Sequence, residues 1–438
     1  MPPRYMERME RQSATYRSMF GEPQFDPPPY PYSRSRPASV DSTMSGLSSL
    51  SQSASKPLPP PPQYEQLDQH TIPRLDKPAI PLGSLVLVTG ANGWQGMHVV
   101  DQLLERGYRV RGTVRTGDKA VQTAHYFGVK YPPGQFTTAV IPDMAQPGAF
   151  DIAARGCAGI VHVASVMSYC PDPHQVIAPT IAGAINALEA AAKEPTVRRF
   201  VYCSATAAAV SQGTGKRNNV THESWNMAAF KTAWEPPPYN NDRAYAVFAS
   251  SKMQTEQAVW RWVRSRRPHF AINTVLPNVL WGRILDPGQE YRTSVAGLAL
   301  IFDGNARAAA WQPPRELSES ADTDTNATSS LSIEYFVDVQ DSALLHVAAL
   351  ILPDIRGQRL FAAHSPYNID SVLQLLRGLY PDKAIAGDVN DHGVDLTSFT
   401  ETWKSEDLLK RMGRTGWTDI ETSISRTCEA FQLPSKDL

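Results

Sequence analysis

The chain has no run of about 18 consecutive apolar residues, so no membrane-spanning helix is expected. It has almost no net charge: 42 Lys and Arg stand against 43 Asp and Glu. That balance gives no electrostatic reason to expect nucleic acid or an anionic membrane as a partner. Its four cysteines (Cys157, Cys170, Cys203 and Cys428) are too few in 438 residues for a disulfide framework. None stands in CxxC spacing, which argues against a zinc site, and no metal is expected. The start of the chain lacks the basic-then-apolar pattern of a secretory leader. The expectation is a reduced, cytoplasmic setting, in which the sequon at Asn326 carries no meaning.

What is present divides sharply. Residues 1–80 are rich in Pro, Ser, Arg and Tyr and poor in aliphatic residues. Such a stretch buries too little apolar surface to offset its chain entropy, so a disordered tail is expected. It carries Pro27-Pro28-Pro29-Tyr30 and Pro61-Pro62-Gln63-Tyr64, and a Lys-x-x-Pro-x-x-Pro pattern over 56–62. Polyproline segments of this kind dock on WW and SH3 domains, although Pro-rich composition alone also generates them. Pro236-Pro237-Pro238-Tyr239 repeats the form inside the folded part. From residue 84 onward strands and helices alternate, with candidate strands at 85–89, 109–114, 136–141, 159–164, 199–203 and 271–276. The crossovers are long enough for helices, which predicts a doubly wound parallel α/β sheet over 84–277. Residues 278–438 would be mainly a smaller substrate lobe. The polar stretch 312–333 reads as a disordered insertion within it.

The richest stretch is LVLVTGANGWQGMHVVDQLLERGYRVRGTVR, 85–115. A short apolar strand leads into Gly90, Gly93 and Gly96. Such glycines allow a tight turn, close approach of backbone N–H groups to a pyrophosphate, and close helix–strand packing. The helix that follows aims its positive end at the phosphates. Val99, Val100, Leu103 and Leu104 form its apolar stripe and Gly107 suits its end. The second strand ends on Arg115. An acid there would bind the free ribose of NAD, whereas an arginine suits the 2′-phosphate of NADP. Lys119 is a second cation for that phosphate.

On these motifs, together with HVAS (162–165), RRFVYCSA (198–205), SKMQTEQAVW (251–260), TVLPNVLWG (274–282) and YFVDVQD (335–341), the chain resembles the extended short-chain dehydrogenases/reductases. Within them it is similar to fungal NADPH-dependent aldehyde and ketone reductases, kin to dihydroflavonol and cinnamoyl-CoA reductases. The resemblance implies a Rossmann domain that binds NADP(H). Gly90, Gly93 and Gly96 would cradle the pyrophosphate, and Arg115 and Lys119 would take the 2′-phosphate. Asp143 and Met144 would flank the adenine, Ala164 and Ser165 would pass beneath the cofactor, and Pro277 would face the nicotinamide. Ser294, in the loop leading to the substrate lobe, is a weaker match.

The family reduces carbonyls with a Tyr and a Lys in YxxxK spacing and a hydroxyl beside the carbonyl oxygen. Lys252 fits the lysine, but Phe248 stands four residues before it and Ala205 occupies the hydroxyl's position. Tyr245 and Thr206 are the nearby substitutes. One helical turn of displacement puts Tyr245 roughly 4–5 Å from the expected place. His162, by contrast, reads as a core residue.

Two functions follow. The first is an NADPH-dependent reductase of a small aldehyde or ketone, such as a secondary metabolite, with Lys252, Tyr245 and Thr206 as its catalytic groups. The second is a catalytically impaired NADP(H)-binding module that regulates a partner through the Pro-rich tail. An epimerase or dehydratase is a third outcome on the same fold. Trp225, Trp234, Trp281 and Trp311 suit either an apolar substrate pocket or the core.

Overall fold

The computed structural model describes residues 73, 75–211, 217–286, 294–304, 334–389, 393 and 395–432. The PPxY segments at 27–30 and 61–64, the insertion 312–333, Trp311 and the Asn326 sequon lie outside them.

Seven parallel strands form the central sheet, in the order β3-β2-β1-β4-β5-β7-β10. They are β1 (Leu85–Thr89), β2 (Arg109–Val114), β3 (Phe136–Val140), β4 (Cys157–His162), β5 (Arg199–Cys203), β7 (Ala271–Pro277) and β10 (Arg359–Ala362). Among the described residues the connections carry α1 (Trp94–Glu105), α2 (Gly117–Lys130), α3 (Pro173–Lys193) and α5 (Ala244–Arg266). The strand order reverses between β1 and β4. In sheets of this kind the crevice beyond the strand ends at that point is where ligands bind.

Alternation along β1 assigns the two faces. Val86 and Val88 point into a core shared with Val99, Leu103, Leu344 and Ala348. Leu87 points the other way, toward Ile160, Leu188, Val259 and Trp262. Because both faces are covered, the central strands are buried on both sides and mostly apolar rather than alternating. Gly112 explains how β1, β2 and β3 fit so closely: a Cβ there would sit 2.5 Å from that of Ala91.

Two boundaries differ from the sequence reading. Packed chain begins before residue 81, because Ile80 is fully buried and the Ala79 N–H donates to the Ile351 carbonyl at 2.7 Å. The region 278–438 is also not one lobe. Helix α7 (Val339–Ile351) is buried along almost its whole length, and β10 closes the main sheet beside β7. These apolar elements return to the sheet because its edge and face still need covering.

A second layer is built from β8 (Val279–Trp281), β9 (Glu334–Asp338) and β11 (Ser365–Tyr367) in the order β11-β9-β8. Its core joins Trp281 and Phe336 to Phe302 of α6 (Ser294–Phe302), Leu373 of α8 (Ile369–Leu379) and Ile424 of α10 (Ile420–Phe431). A short parallel pair, β6 (Asn218–Val220) with β12 (Thr397–Phe399), adds a third piece. Two further helices are α4 (Met227–Ala233) and α9 (Thr402–Arg411). No helix among the described residues is long and apolar enough to cross a membrane. All four cysteines are free thiols.

Burial holds three imidazoles well below their ordinary value: His98 at about 4, His162 at about 3 and His346 at about 4. Below pH 6.5 the unfolded chain therefore takes up protons that the folded chain refuses, and their contribution to stability falls as pH drops toward 4. Asp341, pushed up to about 7 by burial, titrates in the opposite sense. The signal accordingly lies in a difference between proteins. His346→Gln should reduce the loss of unfolding free energy between pH 7 and pH 5 by about 2 kcal/mol relative to the unmodified chain, as read from urea midpoints.

Candidate active site

The site begins where β1 leaves the sheet. Gly90 adopts φ +65°, a conformation that side chains rarely tolerate, and a Cβ there would lie 3.2 Å from the Ala164 backbone. Gly96 sits so close to the turn that a Cβ would fall 2.0 Å from the Gly90 carbonyl oxygen. Helix α1 starts at this point with Gly93 as its cap and no acidic residue in its first turn. Its free N–H groups are thus available to an anion.

Thr89 locks the neighbouring strand exit. Its hydroxyl accepts the N–H groups of Val163 and Ala164 at 3.0 and 3.1 Å. Its own proton is left for His162 Nδ1, 3.0 Å away, which fixes a neutral imidazole. His162 is thus a satisfied core residue, as the sequence suggested. Beside this lock, the Ser165 hydroxyl is buried and has no hydrogen-bond partner among the described residues. An unpaired hydroxyl next to a glycine cradle suits a polar ligand, so the residues present fit a dinucleotide.

The other cofactor candidates fall into two groups. Arg115 is exposed at the end of β2 and makes no ion pair among the described residues, and Lys119 follows in the first turn of α2. Lys119 Nζ donates to Gln122 at 3.2 Å, and Gln122 reaches Asp286. Asp143 is also exposed, but its carboxylate accepts from the Ala145 N–H and from Gln146, so it shapes its own loop. Met144 is pinned on α3, with its sulfur against Gly183 and its carbonyl accepting from Asn186. Pro277 ends β7. Ser294 is elsewhere engaged: its hydroxyl donates to the Leu280 carbonyl at 2.6 Å, tying α6 to β8.

Helix α5 delivers the chemistry-bearing side chains. Lys252 is buried, and its Nζ donates to the Cys203 carbonyl at the end of β5 at 3.4 Å. Burial pushes its ammonium below the usual value, opposed by Cys203 and Glu256. One turn earlier, Phe248 packs with Tyr245 and Ala205 on one small apolar cluster. The Tyr245 ring centroid is 6.1 Å from that of Phe248, and Tyr169 approaches Phe248 from the other element at 5.2 Å. The structure thus gathers Tyr245 around the two departures, Phe248 and Ala205. Thr206 is buried within the short turn Thr206–Ala208.

Sequence reasoning missed what holds α5 in place. Glu256, fully buried one turn beyond Lys252, accepts from Ser204 (2.8 Å), Thr274 (2.8 Å) and Arg359 Nε (2.8 Å). Arg359 also donates to the carbonyls of His222 and Ser224 and stacks on Trp225 at 4.0 Å. The i, i+4 spacing from Lys252 to Glu256 was the available signal. Tyr169, at φ 48° and packed on Phe248, was also missed. Trp281 is core, stacked on Phe336. His222 bonds Glu401 at the surface.

Residues 86–283 match the family described as the NAD dependent epimerase/dehydratase family. Over 353 residues the chain is 38% identical to aldehyde reductase 2 of Sporidiobolus salmonicolor, covering 80% of this chain and 97% of that protein. The chain belongs to the NAD dependent epimerase/dehydratase family. A ketoreductase of Penicillium rubens is 32% identical over 351 residues, 79% of this chain and 96% of its own. Among solved structures, Gre2 of Candida albicans in complex with NADPH superposes with a TM-score of 0.65 at 23% identity, over 80% of this chain and 98% of that one. The fold of the family is therefore the fold found here.

The Glu256–Arg359 pair yields a stability prediction. Arg359→Met leaves Glu256 buried without its cation and should cost about 3–5 kcal/mol of unfolding free energy in urea. Adding Glu256→Gln should recover part of that loss. An additive double variant would show that the two side chains do not act as a pair.

Proposed function

We propose that this chain is an NADPH-dependent reductase of small aldehydes or ketones. The observation that carries the reading is Lys252: a buried lysine on α5, one turn from Phe248 and two from Tyr245, reaching the end of β5 on the strand-end side of the sheet where the glycine turn also lies. A nicotinamide cofactor would be held by the N–H groups of the Gly90–Gly96 turn, by Ser165 and by Lys252 on its ribose. Arg115 and Lys119 would bind the 2′-phosphate. When bound, the cofactor supplies a hydride to the carbonyl carbon. The chain's own residues hold the substrate and deliver a proton to the carbonyl oxygen. Tyr245 is the phenol in reach, and Thr206 is the hydroxyl one residue beyond Ala205. Support comes also from relatives named as an aldehyde reductase and a ketoreductase. A small secondary metabolite suits the reading as substrate.

Phe248 and Ala205 favour one other reading, a cofactor-binding module with impaired catalysis. NADPH oxidation against a panel of aldehydes and ketones separates the two. The reductase reading expects turnover by the unmodified chain. It also expects a loss of about 10²–10⁴ in kcat for Lys252→Met or Tyr245→Phe. Turnover only after Phe248→Tyr with Ala205→Ser, while the unmodified chain still binds NADPH, would establish the module instead. In the same assay Arg115→Ala should raise the KM for NADPH about tenfold or more and leave that for NADH unchanged.

A further inference from the structure

The segment that follows β8 ties three helices together. The Gly282 N–H donates to the Thr427 hydroxyl of α10 at 2.8 Å. The Arg283 carbonyl lies 2.8 Å from His98 Nε2 on α1. Asp286 then accepts from Gln122 Nε2 on α2 at 3.1 Å. The segment thus runs from the helix that starts at the glycine turn to the helix that carries Lys119. Gln122 passes the contact on. Its Oε1 accepts from Lys119 Nζ at 3.2 Å, three residues earlier on the same helix face. An ionised carboxylate can only accept, so Asp286 decides which end of the amide faces it. The carbonyl end is thereby turned toward the lysine. The backbone of Lys119 is held as well, since its N–H donates to the Thr116 hydroxyl at 3.4 Å.

We propose that Gln122 and Asp286 are positioning residues for the 2′-phosphate of NADPH, acting through Lys119, and that they help the chain choose NADPH over NADH. The inference rests on the reductase reading, which sets Lys119 beside that phosphate. Lysine ends a flexible four-carbon stem, and a ligand that must order such a side chain loses part of its binding energy. Here the ammonium is held before the cofactor arrives. The neutrality of the amide matters. It takes one of the three ammonium donors and leaves two for phosphate oxygens. A carboxylate placed directly on Lys119 would compete with the phosphate for the same charge. With the amide interposed, the acid orients the lysine without neutralising it. NADH carries a free hydroxyl where NADPH carries the phosphate, so the chain Asp286–Gln122–Lys119 acts on the phosphorylated cofactor alone.

The test measures dissociation constants for NADPH and NADH from cofactor fluorescence, which needs no turnover. Gln122→Leu should weaken NADPH binding about fivefold, the weight of one hydrogen bond, and leave NADH binding unaltered. Asp286→Ala should act in the same direction. Gln122→Glu keeps the side-chain length but sets a carboxylate on Lys119, so it should weaken NADPH binding further than Gln122→Leu does. Lys119→Met removes what the pair positions, and in that background Gln122→Leu should add nothing. A clasp that merely supports the fold would weaken both cofactors alike, with or without Lys119. That outcome overturns the proposal, as does NADPH binding unaltered by Gln122→Leu. Unaltered NADPH binding in Lys119→Met overturns the placement of Lys119 at the phosphate and the proposal with it. Binding of neither cofactor by the unmodified chain overturns the reductase reading itself.

Discussion

The site depends on one buried ion pair. Glu256 and Arg359 meet at 2.8 Å with both side chains almost wholly inside the protein. Glu256 gathers Ser204 just after β5, Thr274 in β7 and Trp260 on its own helix, while Arg359 reaches the His222 and Ser224 carbonyls. A pair buried this deeply gains little over an apolar replacement of the same shape, because desolvating two ions is costly. What it supplies is direction. Five hydrogen-bonding partners can be satisfied together only if α5 lies in one register against the sheet. Lys252 stands one turn from Glu256, so the same register aims its ammonium at the end of β5.

A second lock works at the opposite side of the crevice. Thr89 has one hydroxyl and uses every capacity of it: two backbone N–H groups enter and one proton leaves toward His162. That arrangement draws the backbone at Ala164 against Gly90, where no side chain would fit. The floor of the crevice is therefore set by backbone and small residues, and its wall by the helix that Glu256 anchors. Neither lock involves a group that reacts.

How much of this was legible in the sequence depends on the range of the contacts. The β1–α1–β2 unit was readable because its glycines, apolar stripe and terminal arginine lie within some thirty residues, and their physics is local. Lys252 was singled out through the resemblance, by its place in the SKMQTEQAVW stretch. The return of α7 and β10 to the main sheet was not readable, because an apolar run such as 343–352 reports burial without saying where it is buried.

Lys252 argues that the crevice is built around a ligand. An ammonium carries three donors, and here one of them reaches a single carbonyl at 3.4 Å, at the long end of hydrogen bonding. Burial already disfavours its charge, and the nearby Glu256 carboxylate is engaged by Arg359, Ser204 and Thr274. A lysine placed only for stability would be expected to sit on an acid of its own or to extend into water. The vicinal hydroxyls of a ribose are acceptors of the right kind for the remaining donors. Their binding would return free energy that the folded chain has spent on burying the charge, so the protein should be markedly more stable with its ligand than without it. The cost of burying Lys252 is thus a reason to read α5 as the functional helix even though Phe248 has replaced its expected phenol.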